Sequence, residues 1–223
     1  MTWRDEMLDR YREQVEKQRG LDAEYDREDR PPRTYQYTVD EEAENEFVRM
    51  QESWENSVPP RMAKWTPDDL DADSLEAFQE WRESGGKRNV IIMGPVGTGK
   101  SVAGYAFLRH VHGCGVWRCK AISTVRLMEL LRPSDEQIPL DRVASMDVLM
   151  LDDLGSEKPS EWVEERLFML MDERWQYERP TIATTNLAPK RLREVLGDRT
   201  YSRLQDDAIA VTLAGSDRRR EAA

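Results

Sequence analysis

Residues 90–101 read Val90-Ile91-Ile92-Met93-Gly94-Pro95-Val96-Gly97-Thr98-Gly99-Lys100-Ser101. Four apolar residues run straight into the pattern Gly-x-x-x-x-Gly-Lys-Ser, and a helix-like stretch follows. A buried strand, a glycine-rich turn and a helix start form the context in which a phosphate-binding loop works. Gly94, Gly97 and Gly99 permit backbone angles closed to other residues and let the chain approach an anion closely. The helix opening near Lys100 points its positive end at the same anion. In such a loop Lys100 reaches the β- and γ-phosphates, and the Ser101 hydroxyl is a Mg²⁺ ligand. The expected nucleotide-binding residues are Gly94, Pro95, Val96, Gly97, Thr98, Gly99, Lys100, Ser101 and Val102.

Working outward, Val102, Ala103, Tyr105, Ala106, Leu108 and Val111 predict a mostly buried helix ending at Gly113. Val116-Trp117-Arg118-Cys119 is a short strand, residues 123–131 a helix, and a polar stretch runs on to Met146. Residues 148–151 are a continuous apolar strand. Ser160 caps a long helix, and Thr181-Ile182-Ala183-Thr184 is the next strand. Residues 189–196 and 201–204 read as helical, and residues 209–213 as a last strand. Apolar strands alternating with helices predict an α/β fold: a three-layer sandwich on a central parallel sheet covered on both faces.

The strand Val148-Leu149-Met150-Leu151 ends in Asp152-Asp153. A phosphate loop needs a second group for Mg²⁺, and an acid at the tip of a neighbouring parallel strand supplies it. Asp152 is the expected metal residue, and Asp153 the group that orients and polarises an attacking water. Thr184-Thr185-Asn186 closes the next strand, where a polar tip faces the γ-phosphate or merely caps a turn before Leu187-Ala188-Pro189.

Upstream, Trp3, Met7, Leu8, Tyr11 and Val15 predict an amphipathic helix ended by Gly20, whose narrow stripe serves equally well to dock a partner or to pack on its own domain or a second copy. Residues 20–46 are charged, with Pro31-Pro32 in the middle, and read as a linker. Phe47, Val48, Met50 and Trp54 suggest a short second helix. Thr66-Pro67-Asp68-Asp69 reads as a helix start whose Leu70, Leu75, Phe78 and Trp81 face the core, with Ser84-Gly85-Gly86 as its stop.

The formal net charge of −11 is uneven: residues 1–60 hold 9 Lys/Arg against 17 Asp/Glu, the remainder 24 against 27. Such acidity excludes a general duplex-DNA binder, because backbone affinity comes from basic residues neutralising phosphates, although local patches can grip a single strand. No stretch approaches 18 consecutive apolar residues, the N-terminus lacks a signal pattern, and two cysteines fit free thiols in a cytoplasmic protein. His110, His112, Cys114 and Cys119 have the residue types of a zinc site. The two histidines, however, lie on different helix faces, so no zinc is expected.

With these motifs in place, the chain resembles the AAA+ helicase loaders of the DnaC and DnaI type and the related IstB ATPase of transposition. The stretches that carry the resemblance are GPVGTGKS, VLMLDDLGSEKPSEWVEERL, PTIATTN, GDRTYSRL and LAGSDRR, spanning about residues 61–220. The resemblance implies sensor 1 at Asn186 and an arginine finger at Arg203, with Arg199 as auxiliary. It implies sensor 2 at Arg219, or at Arg218 one register away. A finger supplied in trans stabilises charge on the transferring phosphate, so the copies would self-associate through the ATP site. The resemblance also implies ATP and Mg²⁺ as cofactors, a replicative DNA helicase and single-stranded DNA as partners, and residues 123–146 as the place of any extra helices between the second and third strands. Arg126 and Arg132 would then lie near DNA; Lys190, Arg191 and Arg193 are a further basic cluster, or a solvated helix face.

Two departures stand out: the second acid is Asp153 where such hydrolases often carry a longer Glu, and no full helical lid is expected in the few residues that follow Arg219. The expected organisation is residues 1–60 as a helicase-docking arm and 61–223 as the AAA+ ATPase domain. The expected function is ATP-dependent loading of a replicative helicase. Alternatives are an IstB-like regulator of a transposase, a small-molecule kinase on the same core, and a nucleotide-gated adaptor with negligible hydrolysis.

Overall fold

A computed structural model describes residues 1–25, 36–114, 118–134 and 137–214. Five parallel strands form its centre: β1 (Val90–Met93), β2 (Cys119–Ser123), β3 (Val148–Asp152), β4 (Thr181–Thr185) and β5 (Ile209–Thr212). Their order is β2-β3-β4-β1-β5, with Val90 opposite both Ile182 and Ile209, and Leu151 opposite Ala183. Alternate residues of each strand face opposite ways. Val90, Ile92, Met150, Ile182 and Val211 therefore pack on one side, and Ile91, Leu149, Leu151 and Ala183 on the other.

The first side is covered by α5 (Lys100–Gly113) and α4 (Ala72–Glu83), with Trp54 of α2 (Val39–Ser57) and Ala63 of α3 (Pro60–Ala63) joining the same core. α5 is apolar nearly all round because it lies between the sheet and these outer helices. The second side is covered by α6 (Thr124–Leu131), α7 (Leu140–Ala144), α8 (Glu161–Gln176) and α9 (Pro189–Gln205). This is the three-layer α/β sandwich with a parallel sheet that the sequence predicts.

α1 (Trp3–Tyr25) folds back on this body. Its Trp3, Met7, Leu8 and Tyr11 are buried with Ala43, Phe47 and Met50 of α2. The Trp3 backbone N–H donates to both carboxylate oxygens of Asp68 at 3.0 and 2.9 Å, and the Tyr11 hydroxyl donates to the Gly113 carbonyl at 2.5 Å. Of the two roles open to this stripe, these residues take the packing role on their own chain.

Several boundaries differ from the sequence expectation. Gly20 stays inside α1: its φ is not positive and nothing crowds it, so the helix passes through. The expected linker of 20–46 shrinks accordingly, since α2 starts at Val39, where Thr38 and Glu41 form a reciprocal capping box. Thr66 opens only a 3₁₀ turn, Pro67–Asp69; the following helix is capped afresh by Asp71, whose carboxylate accepts the Ser74 N–H. That phase leaves Leu75 exposed, while Phe78 and Trp81 are buried. The strand expected at 116–119 begins only at Cys119; residues 116 and 117 lie outside the described residues. The polar stretch to Met146 contains α7, and the two helices expected after Pro189 run on as α9 with a kink at Gly197, whose φ is 76°.

Candidate functional site

The glycine-rich turn joins the end of β1 to α5. Gly94, Gly97 and Gly99 have φ of 150°, 84° and 99°, and a Cβ on Gly94 would collide with the Leu213 carbonyl. That close approach locks the turn against the end of β5, where the Leu213 N–H donates to Met93 O at 2.7 Å. Inside the turn the Thr98 hydroxyl and the Lys100 ammonium both donate to the Pro95 carbonyl, at 3.0 and 2.6 Å. Thr98 and Lys100 are buried, whereas Val96 at the crest is exposed. The helix N-terminus and the lysine thus converge on one small volume beyond the sheet's carboxyl edge, the usual ligand position in open α/β sheets.

The Ser101 hydroxyl donates to Asp152 Oδ1 at 2.9 Å. A hydroxyl and a carboxylate oxygen held together are hard donors of the kind Mg²⁺ takes, so these two residues fit the metal expected of them. Asp153, next along, is in the left-handed region with φ 55°, uncommon for a non-glycine residue. Asn186 Nδ2 donates to Asp153 Oδ1 at 3.4 Å, which brings the expected sensor to the expected water-orienting acid.

Thr184 carries a part that the sequence reading did not assign. Its hydroxyl donates to Asp152 Oδ1 at 2.6 Å and accepts the Asp153 N–H at 3.0 Å. The available signal was a hydroxyl at the end of an otherwise apolar strand. Tyr105, buried in α5, has its phenol pushed up to about 12 by burial first and by the Asp152 charge second, so it stays protonated beside the site.

Arg203 is not brought to this chain's own loop. Asn89, just ahead of β1, donates to the Arg203 and Leu204 carbonyls at 3.3 and 3.1 Å, so the arginine lies where the strands begin, not where they end. Its guanidinium bonds Asp172 at 2.9 Å and covers the Trp175 ring at 3.9 Å. Arg199 covers Phe168 at 4.0 Å. Arg218 and Arg219 lie outside the described residues. Arg126 pairs with Glu129, Arg132 lies over Trp162, and Arg191 and Arg193 pair with Glu194 and Asp198. The His and Cys side chains form two separate couples, His110 with Cys114 at 4.0 Å and His112 with Cys119 at 3.5 Å. Among the described residues there is no group of three or more metal-ligating side chains, and no helix is long and apolar enough to cross a membrane.

The family described as IstB-like ATP binding protein matches residues 66–213. Among solved structures, DnaI is similar with a TM-score of 0.64 and 21% identity, over 72% of this chain and 94% of that one. The DnaC helicase loader is similar with a TM-score of 0.63 and 21% identity, over 70% of this chain and 100% of that one. AMPPCP-bound DnaA from Aquifex aeolicus follows with a TM-score of 0.57 and 23% identity, over 67% and 50%. At these identities the likeness is one of fold, the AAA+ P-loop architecture. No curated protein sequence matches.

Proposed function

The chain belongs to the family of IstB-like ATP-binding proteins, and on that footing we propose that it is an ATP-controlled switch that loads a replicative helicase onto single-stranded DNA. The observation that carries the reading is a site furnished from one side. Lys100, Ser101, Asp152, Asp153 and Asn186 gather at the strand ends, while Arg203 lies at the opposite end of the sheet.

The loop N–H groups and Lys100 hold the triphosphate. Ser101 and Asp152 would hold Mg²⁺, which would supply positive charge against the phosphates. Asp153 orients the attacking water, and Asn186 fixes Asp153 and senses the γ-phosphate. ATP draws copies side by side, so that Arg203 of one, released from Asp172, stabilises the phosphate transferred in the next. Hydrolysis dissolves that contact and frees the helicase. The shorter Asp153 makes turnover slow until a neighbour or DNA completes the site.

The family match also favours a second reading, delivery of a transposase to target DNA by the same switch. The test offers the full chain, with ATP or ADP, to purified helicase and to purified transposase, and follows deposition of helicase on circular single-stranded DNA. Helicase retained with ATP, released on hydrolysis and left on DNA supports the loader. Capture of transposase alone supports the second reading. ATP turnover undiminished in Arg203→Ala overturns the shared switch.

A further inference from the structure

One hydroxyl touches both acids of the site. Thr184 is buried, on β4, between the loop helix and β3. An N–H can only donate, so at the Asp153 N–H, 3.0 Å away, the Thr184 oxygen is the acceptor. The single hydroxyl proton is therefore free to point at Asp152 Oδ1, 2.6 Å away, and that carboxylate oxygen can only accept. The polarity of the chain Asp153 N–H to Thr184 O–H to Asp152 is thus determined without reference to any ligand.

The rest of the residue is pinned as well. A Cβ built on Gly104 of α5 would stand 3.2 Å from the Thr184 methyl and 2.5 Å from Met150 Cε. Gly104 therefore leaves only the space that the methyl and Met150 fill, and the methyl contact selects the rotamer that aims the hydroxyl at Asp152. The Thr184 backbone contributes too, because its carbonyl accepts the Leu154 N–H at 2.8 Å. Asp153 is thus held on both flanks in a left-handed conformation that is strained for a non-glycine residue.

We propose that Thr184 is the positioning residue of this site: its hydroxyl sets the orientation of the Asp152 carboxylate that would hold Mg²⁺ and, through the Asp153 N–H, the backbone twist of Asp153, the acid that orients the attacking water. The methyl supplies the rotamer lock, so threonine does more here than serine. This rests on the ATP-site reading above and deepens it.

The test uses the full chain in native, Thr184→Val, Thr184→Ala and Thr184→Ser forms. Affinity for a fluorescent ATP analogue is measured in EDTA and across a Mg²⁺ titration, with melting temperature as the control for folding. Each variant's affinity in EDTA is the baseline from which its own Mg²⁺ gain is read. The Mg²⁺ concentration that gives half of the affinity gain rises roughly ten- to hundredfold in Thr184→Val, the range found for partners that orient a metal ligand. Thr184→Ala, which adds no bulk, shows the same shift, and Thr184→Ser recovers most of it. A Mg²⁺ curve unchanged in both hydroxyl-free variants overturns the proposal, as does Thr184→Ser falling as far as Thr184→Val. A native chain that binds no analogue under either condition would instead sink the ATP-site reading itself.

Discussion

Replacing His110 by phenylalanine should remove much of the acid sensitivity of the helix that carries the phosphate loop. His110 is 8% exposed near the end of α5, edge-on to Phe78 at 5.0 Å, and its Nδ1 is buried with no hydrogen-bond partner among the described residues. Burial first, then the charges of Arg82 and Arg10, pull its pKa from 6.5 down to about 4. The unfolded chain takes the proton near pH 6.5 while the native chain refuses it until about 4. The stabilisation tied to neutral His110 is therefore complete above pH 6.5 and is lost as the pH falls through that window. For one group shifted this far, linkage gives a loss of about 2 kcal/mol between pH 7 and pH 5, approaching about 3 kcal/mol below pH 4. Phenylalanine keeps a ring against Phe78 and has no proton to bind. Denaturant unfolding at pH 7 and pH 5 should show the native chain losing about 2 kcal/mol more than His110→Phe. His112, Glu6, Arg10, Arg82 and Cys114 are present in both chains, so the difference between the two chains reads the replaced imidazole. Parallel losses in the two chains would mean that native His110 accepts its proton freely, and the burial argument would be wrong.

Tyr11→Phe removes the hydroxyl that donates to the Gly113 carbonyl and should cost about 1–2 kcal/mol, leaving a buried acceptor unpaired. Limited proteolysis reads this directly: α1 is cut sooner in the variant, and equal rates would show that the contact does not hold it. Arg174→Met strips four acceptors, Thr181 Oγ1 and the Ala144, Met146 and Pro180 carbonyls, of one guanidinium. Burial lowers that guanidinium to about 9, so it is still charged at neutral pH. The variant should lose about 3 kcal/mol, or roughly 6–12 °C of melting temperature, and a shift within about a degree would refute the role.

Local signals carried most of the fold. A strand buried on both faces must be an unbroken apolar run, so Ile91-Ile92, residues 148–151 and Ile182-Ala183 announced themselves and were found in the sheet. The phosphate loop is equally legible, because its glycines, lysine and serine all lie within one turn of chain and need no distant partner to be read. Helix ends were less so. Gly20 reads as a stop but is traversed, and Thr66 reads as a cap but is superseded by Asp71; a local preference of about 1 kcal/mol decides a boundary only where packing is indifferent.

What no sequence pattern could supply is which side chains meet across the sheet. The stripe of Trp3, Met7 and Tyr11 announces an apolar face but not what it lies against; Gly113 and Asp68 answer that from far along the chain. Thr184 and Asp152 stand 32 residues apart, and their hydroxyl–carboxylate bond exists only because β3 and β4 pair in the register that sets Leu151 beside Ala183. Slipping that register by one residue would turn the Thr184 hydroxyl to the other face of the sheet. The sequence by itself determined the strands other than β2, the loop and the acids. The tertiary register decided how the acids are held, because a side chain's orientation across a sheet depends on pairing that no single strand encodes.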